Sequence, residues 1–272
     1  MSRPDVPTTG YPRVAVITGG DSGIGRATAV ALARDGFDVG ITFHTDQDRA
    51  MSAVEEVRSH RRRCAARRHD LADPVTAAGV VDELADELGG IGVLVNNAAT
   101  GFHRPLLEVG YDEWRAVLTV DLDGPFLCAQ RAARKMIAQG GGGRIVNVTS
   151  VHEEYPRINA GPYCAAKGGL RMLSRALALE LSAYEITVNA VGPGEIATAM
   201  TGQEGRPPEP GTRPGYPIDR PGHAHEVAAA IAFLAGPSAS YVTGSTLFVD
   251  GGLGLMGPQA AGALTTPDWR RG

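Results

Sequence analysis

No apolar run in this chain of 272 residues approaches the roughly 18 residues that a bilayer span needs. Met1 to Pro12 holds no apolar stretch either, so a secretory signal is not expected. There is no excess of positive charge: 26 Lys+Arg face 30 Asp+Glu, a formal net charge of -4. A protein that holds nucleic acid over its general surface should not be net acidic, and that class is set aside. Cysteines are few, odd in number and far apart (Cys64, Cys128 and Cys164), as free thiols in a reducing compartment would be; a cytoplasmic location is expected. Without an export signal the sequon at Asn147-Val148-Thr149 carries nothing. Aromatic residues are scarce at 6%, but 43% of the chain is hydrophobic and its length is ample for a core. Neither repeat nor linker divides it, so one domain over 1–272 is expected, with a core at 13–256, a short arm at 1–12 and a tail at 257–272.

What is present is an alternation. Apolar β-branched runs at 13–18, 37–43, 93–96, 144–149, 186–191 and 246–250 read as strands, and 65–69, its pattern diluted by arginines, as a further one. Between them, helical spacing appears at 23–34, 46–59, 75–88, 112–139, 165–183 and 226–234. Seven strands separated by helices predict an α/β fold, a Rossmann-type doubly wound parallel sheet covered on both faces. Four Gly and five Pro fall between Gly202 and Pro217, the composition of a long binding loop or of a tolerated surface insertion.

In an open α/β sheet, ligands bind beyond the carboxyl ends of the strands. Several unusual segments fall there. Thr18-Gly19-Gly20-Asp21-Ser22-Gly23-Ile24-Gly25 joins the first strand to a helix, and such a turn lets backbone approach a pyrophosphate at the helix N-terminus. Taken alone it fits an ordinary strand–helix connection equally well. Asn96-Asn97-Ala98-Ala99 follows the fourth strand, Ser150 the fifth, and Gly192-Pro193-Gly194 with Ile196 and Thr198 the sixth. A helix begins near Tyr163, and Lys167 lies one turn on, on the same face. A lysine ammonium beside a phenol favours phenolate, which suits the phenol to general acid/base work. An ordinary surface pair would have the same spacing.

Taken together and in order, these motifs resemble the short-chain dehydrogenase/reductase family. The resemblance runs from Arg13 to Gly252 and includes Asp70-Leu71, Tyr241-Val-Thr-Gly244 and Asp250-Gly-Gly252. Ser150-Val-His152-Glu153 and Ser240 to Phe248 are similar to the glucose 1-dehydrogenase and 3-oxoacyl reductase-like branch. The resemblance implies an NAD(P)-dependent oxidoreductase that transfers hydride between nicotinamide and a carbonyl or hydroxyl carbon of a sugar, polyol or keto compound. It implies Tyr163 as acid/base, Ser150 as donor to the substrate oxygen, and Lys167 on the nicotinamide ribose. Gly19, Gly23 and Gly25 would face the pyrophosphate, with Asp21, Ser22 and Ile24 of the same turn, and Phe43, His44 and Thr45, also among the cofactor-binding residues. Asp70 and Leu71 would face the adenine, and Asn96, Asn97, Ala98 and Ala99 the adenosine ribose region. Pro193, Gly194, Ile196 and Thr198 would meet the nicotinamide carboxamide. His152 and Glu153 would rim the substrate site, where they would either hydrogen-bond a polyhydroxylated substrate or merely hold the loop.

Two positions depart from the family pattern. Asp121 stands where the family usually has an Asn that holds a relay water behind the lysine; the carboxylate keeps an acceptor but, ionised, loses the donor. A working variant is expected, with countercharge reaching Lys167 through water. The rival is an impaired, cofactor-binding regulator or scaffold. The second strand ends on Phe43, followed by His44 and Thr45, without the Asp that binds the 2′-hydroxyl in NAD-specific relatives. That balance favours NADP over NAD, although no Arg stands there. Six arginines between Arg58 and Arg68 read as solvated charges at a helix end, and His223-Ala224-His225 lacks the further ligands of a metal site. The expected partners are a small substrate and, by the resemblance, three further copies of the chain in a homotetramer. Leu253-Gly254-Leu255-Met256 would be costly to leave exposed.

Overall fold

The computed structural model describes residues 10–213, 216–257 and 264. Its framework is a seven-stranded parallel sheet in the order β3-β2-β1-β4-β5-β6-β7. The strands are β1 (Val14–Ile17), β2 (Asp38–Phe43), β3 (Cys64–Arg68), β4 (Val93–Asn96), β5 (Gly143–Val148), β6 (Ile186–Pro193) and β7 (Thr246–Val249). Alternate residues feed opposite faces, as the strand period requires. Ala15 and Ile17 join a core with Leu32, Val54 and Ile231, whereas Val14 and Val16 join another with Leu84, Met136 and Leu181. Helices α1 (Gly23–Arg34), α2 (Gln47–Ser59) and α8 (Ala224–Ala235) cover the first face. Helices α4 (Val80–Leu88), α6 (Gly124–Gln139) and α7 (Gly161–Leu181) cover the second.

Three expected helices differ. The stretch 75–88 divides into a short α3 (Pro74–Ala77) and α4, with Gly79 at the junction. The long helix expected over 112–139 is α5 (Tyr111–Leu118), a π turn at Thr119–Asp123, and α6. Pro125 accounts for the break. It has no N–H for the carbonyl of Asp121 four residues back, and its ring crowds that carbonyl, so the turn widens there. Helix α7 starts at Gly161 rather than near Ala165, with Pro162 in the first turn where a missing N–H costs nothing. Tyr163 and Lys167 therefore occupy its first two turns.

The arginine-rich segment is engaged in ion pairs. Arg62 and Arg63 reach Asp38 at 2.8 and 2.7 Å, and Arg67 pairs with Glu87. Burial favours the neutral Asp38 carboxyl, but Arg63 and Arg62 outweigh it and hold that group below the usual carboxylate range. All three cysteines are free, and burial pushes the Cys64 and Cys128 thiols up to about 12, which leaves them unreactive. Among the described residues no helix is long and apolar enough to cross a membrane, and no cluster of three metal-ligating side chains occurs.

Candidate functional site

The Gly-rich turn is held by neutral hydrogen bonds. Gly19 (φ 64°) and Gly23 (φ 50°) adopt backbone angles that side chains resist. A Cβ on Gly25 would collide with the Gly19 carbonyl oxygen, so the turn folds back on itself through bare backbone. Gly19 N donates to Thr42 Oγ1 at 3.0 Å and Gly20 N to Thr42 O at 2.8 Å. Asn97 Nδ2 donates to Thr18 O and Gly19 O at 3.0 and 2.9 Å, while Asn97 N and Ala98 N both donate to Thr18 Oγ1. The turn leads into α1, whose N-cap Ser22 makes no capping bond and whose first turn has no acidic residue. Its amides are thus left for an anion. Thr198, after β6, closes on the turn: a Cβ on Gly23 would lie 3.2 Å from its Cγ2. Bare backbone and a helix N-terminus without a side-chain cap in one cradle fit a dinucleotide pyrophosphate.

Other expected nucleotide contacts sort into open and closed. Phe43 ends β2, with His44 and Thr45 exposed beyond it. Asp70 is exposed, and the Ala72 N–H that it accepts holds its carboxyl below the usual range. Its Oδ1 lies 3.6 Å from His44 Nε2. Asp21 is half-buried, and that burial raises its carboxyl. Leu71 is buried, with its side chain packed beside Gly124. Asn96 corrects an expectation: it is 2% exposed, and its Nδ2 donates to Pro125 O and Asn147 Oδ1 inside the fold. It braces the edge rather than meeting a ribose. Pro193 ends β6, and Gly194 N donates to Val249 O. Ile196 is buried in the bridge to Gly222.

The other half is built on buried charge. Lys167 is 2% exposed; its Nζ donates to Val148 O at 3.2 Å and lies 3.2 Å from Asp121 Oδ2. The water expected between them is replaced by a direct ion pair. The π turn presents Asp121 with 0% exposure, and its Oδ1 accepts from Thr100 N at 2.7 Å. Burial alone would depress the Lys167 ammonium, but Asp121 first and Tyr163 next hold it above its ordinary value. The Tyr163 ring centroid lies 5.4 Å from Lys167 Nζ. Gly101 leaves room beside that ring, since a Cβ there would be 3.4 Å from Tyr163 Cδ2.

Ser150 caps a 3-10 turn, Val151–Glu153, and its Oγ accepts from His152 N at 3.1 Å, so its own hydroxyl hydrogen is free to donate. His152 Nδ1 bonds to Tyr155 O at 2.9 Å, and its ring meets the Tyr163 ring edge-on, 6.4 Å between centroids. Burial lowers His152, favouring neutral imidazole. Glu153 fits the loop-holding reading. Its side chain has 0% exposure and faces Arg171, Thr149 and Thr246, so it closes the turn from beneath.

Sequence reasoning missed the partners contributed across the fold: Thr18, Thr42, Thr100, and two ion pairs on the Gly/Pro-rich segment. Arg213 binds Glu195 in a fork, with Nε to Oε2 at 2.8 Å, and Gln203 Nε2 donates to Glu195 Oε1 at 2.7 Å. Glu204 reaches Arg49 on α2 at 3.3 Å. The segment is thus tied at both sides of the edge.

Residues 19–254 match a family model described as enoyl-(acyl carrier protein) reductase. The uncharacterized oxidoreductase YohF of Escherichia coli (strain K12) is 47% identical over 91% of this chain and 98% of its own length. The crystal structure of acetoin dehydrogenase YohF from Salmonella typhimurium superposes with a TM-score of 0.88 at 45% identity, covering 92% of this chain and 98% of that one. A blue fluorescent protein from a metagenomic library, crystallised with NADPH, gives 0.82 at 35% identity over 90% and 99%. Matches at this identity and coverage, on a sheet edge of this design, make the chain a member of the short-chain dehydrogenase/reductase family and an oxidoreductase.

Proposed function

We propose that the protein reduces small ketones and hydroxyketones, acetoin and its diketone among them, and oxidises the matching alcohols, with Tyr163 as proton donor and acceptor. The observation that carries this reading is the locked Lys167 ammonium beside the Tyr163 ring. A nicotinamide cofactor held by the Gly turn and Lys167 would supply or take up hydride at the substrate carbon. Ser150 holds the substrate oxygen through its free hydroxyl hydrogen, and Tyr163 passes a proton to that oxygen as hydride arrives at carbon. The reverse transfers run in oxidation. An ammonium has three N–H donors; Val148 O and Asp121 engage two of them, leaving one for the ribose or the phenol oxygen. Substrate scale follows the relatives named for acetoin. His152, pinned by Tyr155, stands beside Tyr163 as the polar group for a second substrate oxygen. The regulator reading rested on Asp121 alone. Its direct ion pair with Lys167 supports a working site instead.

Both NADP and NAD are admitted, NADP the better, because no carboxylate stands at Phe43 to repel a 2′-phosphate. The chain acts as one catalytic unit in the cytoplasm and assembles as a homotetramer, for which Leu255 at 82% exposure supplies an apolar contact. Light scattering at micromolar concentration should give a tetramer mass; a monomer refutes that assignment. The activity is tested by nicotinamide absorbance with NADPH and NADH against acetoin, diacetyl, sugars, polyols and keto esters. Turnover is expected with the short ketones, and none with any of them would overturn the reading.

A further inference from the structure

A second charged cluster lies between the Gly turn and the end of β2. Arg49 stands in the first turn of α2. Asp46, the N-cap, accepts from Arg49 N at 2.9 Å, and its Oδ2 lies 3.4 Å from Arg49 Nε. Asp21, at the tip of the Gly turn, is close enough that both charges act on its carboxyl. The third carboxylate comes from elsewhere: Glu204 Oε2, on the segment after β6, lies 3.3 Å from Arg49 Nη2.

The position of this cluster is informative. In sheets of this type, a group about 20 residues beyond the Gly turn reads the 2′ substituent of the adenosine ribose, an acid for the hydroxyl or an Arg for the phosphate. Here β2 ends on Phe43, without an acid; Arg68 stands beside that end on β3 and donates to His44 O at 3.2 Å, while Arg49, on the next helix, is a cation whose charge also reaches Asp21 at the tip of the turn. Its guanidinium already has an intramolecular anion on it. That anion belongs to the segment which Arg213 and Glu195 anchor at its other side.

The geometry points to Arg49 and Glu204 as a selector of the nucleotide 2′ group, an inference that rests on the dinucleotide-binding reading above. With a 2′-hydroxyl, Arg49 keeps Glu204, and the segment stays tied to α2 across the Gly turn. With a 2′-phosphate, the dianion takes Arg49 and repels the Glu204 carboxylate, so the segment is released on this side while Arg213–Glu195 holds the other. Recognition of the phosphate and closure of the segment compete for one guanidinium. Preference for the phosphorylated cofactor is therefore weaker than Arg49 alone would give.

The test uses 5′-ADP and 2′,5′-ADP as probes, with binding measured by calorimetry on the full chain. Glu204→Gln should tighten 2′,5′-ADP by about two- to fivefold and leave 5′-ADP within about twofold, the scale expected of an exposed pair. Arg49→Gln should weaken 2′,5′-ADP by about tenfold, as loss of a charge-assisted contact does. In the wild-type protein, amide hydrogen exchange over residues 201–206 should be faster with 2′,5′-ADP than with 5′-ADP. An unchanged affinity ratio in both variants, or equal exchange under both probes, overturns the selector. Failure of the wild-type protein to bind either probe overturns the dinucleotide reading, and the selector with it.

Discussion

The two halves of the sheet edge are held by different physics. On the β1 side, bare backbone and neutral hydrogen bonds from Thr18, Thr42 and Asn97 shape the turn. On the β5 side, a buried ion pair between Asp121 and Lys167 fixes the ammonium beside the Tyr163 ring. Neutral bonds of this kind change little with pH. A buried pair does change, and removing one partner leaves an uncompensated charge in low dielectric. The first half should thus be sensitive to added volume and the second to lost charge.

The largest break in that contrast is Asp121→Ala. It strands the Lys167 ammonium and frees Thr100 N, and should cost about 3–5 kcal/mol of stability along with most turnover. Chemical denaturation checks the first effect and steady-state assay the second. Gly25→Ala tests the other half. With its Cβ against the Gly19 carbonyl, the variant should lose about 1–3 kcal/mol and bind nucleotide weakly, while the pH dependence of remaining turnover stays put.

Asp121→Asn keeps shape and acceptor while removing charge, and turnover should change by less than about tenfold, or about 1.4 kcal/mol of barrier. The informative readout is pH. Asp121 raises Lys167, so the stabilisation from this ammonium is fully present below its ordinary value of 10.5 and is lost as pH rises through the higher folded value. Without the carboxylate the Lys167 value falls. The alkaline limb of the pH-rate profile should then move to lower pH in Asp121→Asn, and an unmoved limb would exclude Lys167 from it.

The sequence announced the first half more fully than the second. Apolar runs located six of the seven strands, the arginines of β3 diluting its pattern, and the glycines of 19–25 declared their own turn, because these signals are local. Pro125 stood in plain view inside the expected long helix, yet the apolar period across 112–139 masked the π turn that it forces. The direct pairing of Asp121 with Lys167 joins residues 46 positions apart, and no periodicity encodes it. Glu153 read as a rim residue because it follows Ser150 closely; the 3-10 turn rotates it underneath instead. Glu204 and Arg49 are 155 positions apart and meet only because the segment after β6 crosses the edge.

The central claim is that the β5-side half does chemistry which the β1-side half only supports. Tyr163→Phe separates them most directly, since it removes the hydroxyl and keeps the ring. Turnover of acetoin or diacetyl and the Kd for NADPH should be measured on the same preparation. The account predicts turnover lower by about 100-fold or more with Kd changed by less than about threefold; turnover equal to that of the wild-type protein would contradict it.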